Sequence, residues 1–238
     1  MTTKFQWRNL AAFFDRRRKL LSMTFIFIDL VISSLTCAAA SKPHVIALGK
    51  TISAKWLSTT GQKAFDLKVR PLLVDGRLKE YVTGTPHEIT DRLFVVRRAF
   101  RANDALPSEN GPRWQWQRGG WLMVDRLTGH ISQLTLPEFD VFVSASSWYR
   151  DYVAYCGVTE DGKKLFAMVM QIGRRKAILK NEMGEAEAAA EPDSGCATPV
   201  WQRSPTRVTF QTGDNRKLVF SLHSRVVDLV EDNEDAEP

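Results

Sequence analysis

Cysteine and histidine are the scarce residues of this chain: three of the first and four of the second in 238 residues. Cys37, Cys156 and Cys196 form no paired C-x-x-C, so a zinc ribbon or a thioredoxin-like redox site is excluded. His44, His87, His130 and His223 have no ligand partner at i+4 and no H-E-x-x-H spacing. The chain also lacks a G-x-S-x-G elbow and a Walker loop, which leaves a hydrolase or an NTPase without its usual nucleophile or phosphate cradle. No metal and no cofactor is expected, and the chemistry leans away from catalysis.

An excess of one charge is lacking too, although the formal total of +6 first suggests otherwise. Residues 1–40 hold six of the 33 basic side chains and two of the 27 acidic ones. The remaining 27 and 25 give a net charge of +2. A body so close to neutral attracts a polyanion weakly, and nucleic acid is not expected as a partner.

Hydrophobic content is ample. At 44% hydrophobic and 10% aromatic, the composition is that of a globular protein with a substantial core.

The N-terminus has three parts. Arg16-Arg17-Arg18-Lys19 ends a basic region, Leu20 to Leu35 is apolar, and Ala38-Ala39-Ala40 supplies a small-residue site with cleavage before Ser41. Residues 1–40 are therefore expected to be a helical signal peptide, and the body to be periplasmic or extracellular. Arg17-Arg18-Lys19-Leu20-Leu21 resembles a twin-arginine signal, with Arg16 where Ser or Thr is usual. Cys37 follows Ser34-Leu35-Thr36, a poor lipobox. An uncleaved anchor would carry Asp29 at its centre. That costs about 2.5–3.5 kcal/mol on the insertion scale, which seven apolar neighbours at about 0.3–0.6 each roughly offset. Membrane contact is expected only through the leader, and only where it is not cleaved; in each version the body lies outside the cytoplasm.

The body reads as an all-β domain from 41 to 227. Phe65, Leu67 and Val69 alternate with Asp66, Lys68 and Arg70, so one strand face is apolar. Asp75-Gly76 is a tight-turn dipeptide, and Leu78 to Val82 returns; Pro71 marks an edge or a bulge. Leu93-Phe94-Val95-Val96 is continuously apolar, as in a strand covered on both faces, after which Arg97, Arg98 and Arg101 lead back to solvent. Residues 103–113 are a loop by composition. Three more hairpins follow: Trp121–Val124 with Ile131–Leu136, Tyr152–Val158 with Leu165–Ile172, and Arg207–Gln211 with Leu218–Leu222.

Two of these turns carry a resemblance. The D-x-x-T-G-x-I of Asp125 to Ile131 resembles turns in quinoprotein-type propeller repeats, and the E-D-G-K-K-L of Glu160 to Leu165 is similar to a turn of TolB-like propellers. The stretch from Trp114 to Lys180 also looks like uncharacterised exported bacterial proteins, a resemblance that carries no activity with it. The turn glycines 76, 129, 162 and 213 are 53, 33 and 51 residues apart, whereas propeller blades repeat at about 40–45. The resemblance thus implies antiparallel hairpins, and a sandwich, an irregular barrel and a partial propeller all remain open. Residues 182–195 are acidic, alanine-rich and expected to loop out; residues 228–238 carry six acids and no base and are expected to be a solvated tail.

After cleavage two cysteines remain, and in an oxidising compartment Cys156 and Cys196 are expected to pair. The closed loop of about 40 residues contributes on the order of 4 kcal/mol in the chain-entropy model. The tryptophans carry the functional expectation. Trp114 and Trp116 share a strand face and are flanked by Arg113 and Arg118, with Trp148, Tyr149 and Arg150 further on. Rings beside guanidiniums stack on sugars, peptides or planar groups; they also fill small β cores under long arginine stems. The leading expectation is a non-catalytic envelope or secreted domain that binds a protein or glycan. The alternative is an envelope hydrolase in which His87, Glu88, Asp91, Asp125 or Asp161 converge in three dimensions.

Overall fold

The computed structural model describes residues 43–57, 63–108, 110–186, 196–211, 216–223 and 226–233. The leader and most of the 182–195 segment lie outside this set. Within it there is no helix, and the strands form three sheets, so the chain is all-β. No described helix is long and apolar enough to cross a membrane.

The first sheet holds β1 (Ile46–Leu48), β2 (Ile52–Leu57), β3 (Ala64–Val74), β4 (Arg77–Glu88), β5 (Leu93–Asn103), β6 (Trp114–Asp125) and β7 (Ile131–Leu134). Strands β2 to β6 pair in sequence order, each antiparallel to the next. The ring then closes through one parallel contact, Trp56 opposite Trp116. Five strands that alternate in direction leave the first and last parallel, so a closed ring requires that exception. The β3–β4 turn is Asp75-Gly76, with both residues at positive φ (51° and 75°), which suits the twist of a two-residue hairpin. Pro71 sits where the strand on one side of β3 breaks into β1 and β2, and the Gly49 N–H reaches its carbonyl at 2.9 Å. The register also slips beside it, between Leu72 and Leu73, so the proline marks an irregularity and not an edge.

The second sheet is the meander β8 (Ser146–Tyr149), β9 (Tyr152–Val158), β10 (Lys164–Gln171) and β11 (Leu179–Glu185). The third is β12 (Val200–Gln202), β13 (Arg207–Gln211), β14 (Lys217–His223) and β15 (Val226–Asn233). The second sheet lies between the other two. On β9 and β10, Val153, Tyr155, Phe166, Met168 and Met170 meet Val95 and Trp121 of the first sheet. The alternate residues, Ala154, Cys156, Leu165, Ala167 and Val169, meet Val208, Phe210, Leu218 and Phe220 of the third. Both faces are covered, which is why these strands read as near-continuous apolar runs. Residues 94–97 of β5 are buried for the same reason: Phe94 and Val96 face the ring interior with Leu72, Val82, Leu122 and Val124, while Val95 faces the second sheet.

Two of the arrangements left open by the sequence therefore coexist: a small irregular barrel, and a stack of three four-stranded meanders (β4–β7, β8–β11, β12–β15). Three blades are too few to close a propeller, which takes four to eight. Two boundaries move. Residues 182–185 belong to β11, where Met183 is buried against the third sheet; its neighbour Glu182 takes the opposite face, where it stays exposed and pairs with Lys164. β15 carries pairing past 227 to Asn233, since a ladder needs only backbone groups, which an acidic residue supplies like any other.

Candidate functional site

Alternation along β6 places Trp114, Trp116 and Arg118 on one face. Trp114 is 54% exposed. Trp116 is half-buried, edge-on to Tyr81 with centroids 5.0 Å apart. Arg101, opposite Trp116 on β5, holds its guanidinium carbon 5.7 Å from the Trp114 ring and 5.9 Å from that of Trp116. It is exposed and forms no ion pair among the described residues. One position further, the Arg118 guanidinium lies 4.9 Å from the Trp56 ring. Rings and guanidiniums thus form a ladder from the exposed lip of the barrel inward.

The inner end of the ladder opens on a cleft of about 550 Å³. Trp56, Phe65 and Trp121 form its apolar wall; Arg97, Arg118 and Lys68 bring positive charge, Asp66 brings a carboxylate paired with Lys55 at 2.6 Å, and Thr85 and Ser146 bring hydroxyls. The rim is a wide bulge in β4. Thr83 pairs with Arg97 and His87 with Val95, so residues 84–86 loop out, with Gly84 at φ 74°. Arg97 is buried. It donates to Gly119 O at 3.1 Å and Val141 O at 2.8 Å, and its guanidinium lies 5.1 Å from the Phe139 ring. Arg118 donates to Val141 O (2.8 Å) and Phe142 O (3.3 Å). Both side chains therefore fix the 141–142 segment, whose Phe142 packs on Trp56 at 5.6 Å.

The aromatic and arginine residues singled out from the sequence do not form one face. Trp114, Trp116 and Arg118 share the ladder, but Arg113 turns away to Asp104, donating to its backbone oxygen at 2.8 Å. Trp148 packs between the first two sheets, 5.0 Å from Trp121 and stacked on His87 at 5.7 Å. Tyr149 packs on Trp201 at 5.5 Å. Sequence reasoning missed Trp56 and Arg101, and sent Arg97 to solvent. Spacing along one strand gave no sign of them, because both meet β6 only across the sheet.

The carboxylates do not converge. Glu88 is held by both guanidinium nitrogens of Arg126, at 2.6 and 2.8 Å, which lowers its pKa. Asp125 is held by Arg92 and accepts from Leu127 N, and its pKa falls well below the usual carboxylate range. Asp161 caps its own turn through Thr159 and the Lys163 amide, and is lowered likewise. Asp91 contributes its backbone oxygen to Arg126. His87 Nε2 bonds Arg150 O at 2.8 Å. None of the five lines the 550 Å³ cleft or a second one of about 380 Å³ beside Glu138 and Glu160. Among the described residues, no group of three or more His, Cys, Asp or Glu side chains is placed to hold a metal ion.

Cys156 on β9 and Cys196, just before β12, stand within disulfide distance, with Cα atoms 6.5 Å apart and both side chains buried. The pair ties the middle sheet to the lead-in of the third. No family model matches the sequence, and no curated protein is significantly similar to it.

Proposed function

We propose that this is a non-catalytic exported domain that binds an extended protein segment or glycan along the β5–β6 ladder, with one end of the ligand entering the cleft. The observation that carries this reading is the line Trp114, Arg101, Trp116. An exposed ring and an exposed guanidinium without a carboxylate offer stacking and hydrogen-bond donation together. Alternate strand residues are about 6.6–6.8 Å apart, so the two rings present a repeat that an extended chain with flat or apolar groups can follow. Mixed apolar walls and a few convergent polar groups, as around the cleft, are the usual lining of a ligand site. The leader supports an exported location, and the buried cysteine pair is compatible with an oxidising compartment.

The test is a tryptophan-fluorescence titration with neutral oligosaccharides, carboxylate-bearing oligosaccharides and extended peptides, on wild type and Trp114→Ala. At least one probe class is expected to bind wild type and to lose about tenfold in affinity in the variant, as a stacked ring worth about 1.4 kcal/mol implies. Equal affinity of the two proteins for every probe would remove the ladder from consideration.

A further inference from the structure

The near-neutral total of the body hides an asymmetry at one end of the sheet stack. Between β10 and β11, Ile172 and Ala177 turn inward to the core shared by the first two sheets. Gly173, at φ 84°, reverses the chain, and Arg174, Arg175 and Lys176 are left as its exposed tip. Pairing of Gln171 with Tyr152 puts this tip beside the β8–β9 turn, which carries exposed Arg150. Trp201 of β12 packs on Tyr149 and Tyr152, so the β12–β13 turn, with exposed Arg203, opens on the same end.

None of these five cationic side chains pairs with a carboxylate among the described residues. The adjacent acid, Asp151, accepts from Gln171 Nε2 at 2.8 Å. The turns are held firmly. His87 bonds Arg150 O at 2.8 Å, Ile172 N donates to Asp151 O at 2.9 Å, and Arg174 N donates to Gln171 O at 3.1 Å. Half-buried Tyr149 and Trp201 stand among the charges.

We propose that this end is a docking surface for an anionic lipid bilayer. Unpaired cations on neighbouring turn tips present charge to a plane, with each tip reaching a different headgroup. Tyrosine and tryptophan between them match the amphipathic rings of a membrane–water interface. The apolar run Leu20 to Leu35 directs the chain to a membrane, so the body emerges beside a bilayer whether or not the leader is then cut. This proposal is independent of the β5–β6 ladder, which involves other residues.

The test is co-sedimentation of the full chain with phosphatidylcholine vesicles and with vesicles that also contain phosphatidylglycerol. Because the basic leader is also drawn to anionic vesicles, the share of the tip is read as the difference between wild type and tip variants that carry the same leader. Wild type is expected to partition more strongly onto the anionic vesicles, with the increment shrinking as salt rises. In the charge-neutral R174Q/R175Q/K176Q the increment should fall about a hundredfold, from the summed attraction of three basic groups to anionic headgroups. The charge-reversed R174E/R175E/K176E should fall further, and both variants should keep the wild-type thermal midpoint because the tip makes no core contact. An increment unchanged by charge reversal would overturn the proposal. So would binding to soluble polyphosphate without any partition onto anionic vesicles, which would point to a soluble polyanion.

Discussion

Trp114 and Trp116 are two residues apart on one strand face, yet they play different parts. Trp114 is 54% exposed, whereas Trp116 packs on Tyr81 and on the cluster around Trp56. Trp114→Ala should leave the thermal midpoint within measurement error and weaken ligand binding. Trp116→Ala should cost about 2 kcal/mol in denaturant unfolding, a fraction of the 3–5 for a fully buried ring. Equal destabilisation by both would assign Trp114 to the core. A second residue-scale prediction concerns Asp125. Its bond to Arg92, with help from the Leu127 amide, depresses the folded pKa, so its stabilising contribution is present above the unfolded value and lost as pH falls toward the folded one. Asp125→Asn should be less stable than wild type at neutral pH and should lose less stability than wild type below about pH 4. Thermal melts across that range would read the difference. The sequence made Trp114 and Trp116 visible as one face, because strand alternation is local, with Arg113 and Arg118 only as flanking residues. It could not reveal Arg101 or Trp56, which reach that face through pairings 15 and 60 residues away in the chain.

At the scale of strands and turns, local chemistry was a good guide. The turns at Asp75-Gly76, Gly129 and Gly162 all have the positive φ that their glycines suggested, and the β9 strand spans Tyr152–Val158, the bounds its pattern gave. The acidic stretch was harder: β11 continues to Glu185 because only Met183 needs burial, and one apolar residue among glutamates gives no period. The Cys156–Cys196 pair links two elements whose mutual position no local pattern fixes. With 40 residues between them, replacing both by alanine should cost about 4 kcal/mol in the chain-entropy model, measured by denaturant unfolding. A loss well under 1 kcal/mol would mean the cysteines act as two buried apolar groups and no crosslink forms.

For the domain as a whole, the middle sheet is the structural centre, covered on one face by the barrel and on the other by the third sheet. Amides of β9 and β10 should therefore exchange hydrogen most slowly, near the rate of global unfolding, and those of β1, β12 and β15 faster. Faster exchange in β9 than in β12 would contradict this packing. The intact mass of the protein from its native cell tests the leader. Export and pairing predict a chain beginning at Ser41 and lighter by two hydrogens; a chain beginning at Met1 with free thiols would refute both. A period of two and a turn glycine act within ten residues, so the all-β class, most hairpins and their turns were legible in the residues alone. The closure of the ring by Trp56 against Trp116, the double cover of β9 and β10, and the departure of Trp148 and Tyr149 from the Trp114 face were not. Alternation says that a strand has two unlike faces, but which neighbour covers each face is settled by contacts far apart in the chain.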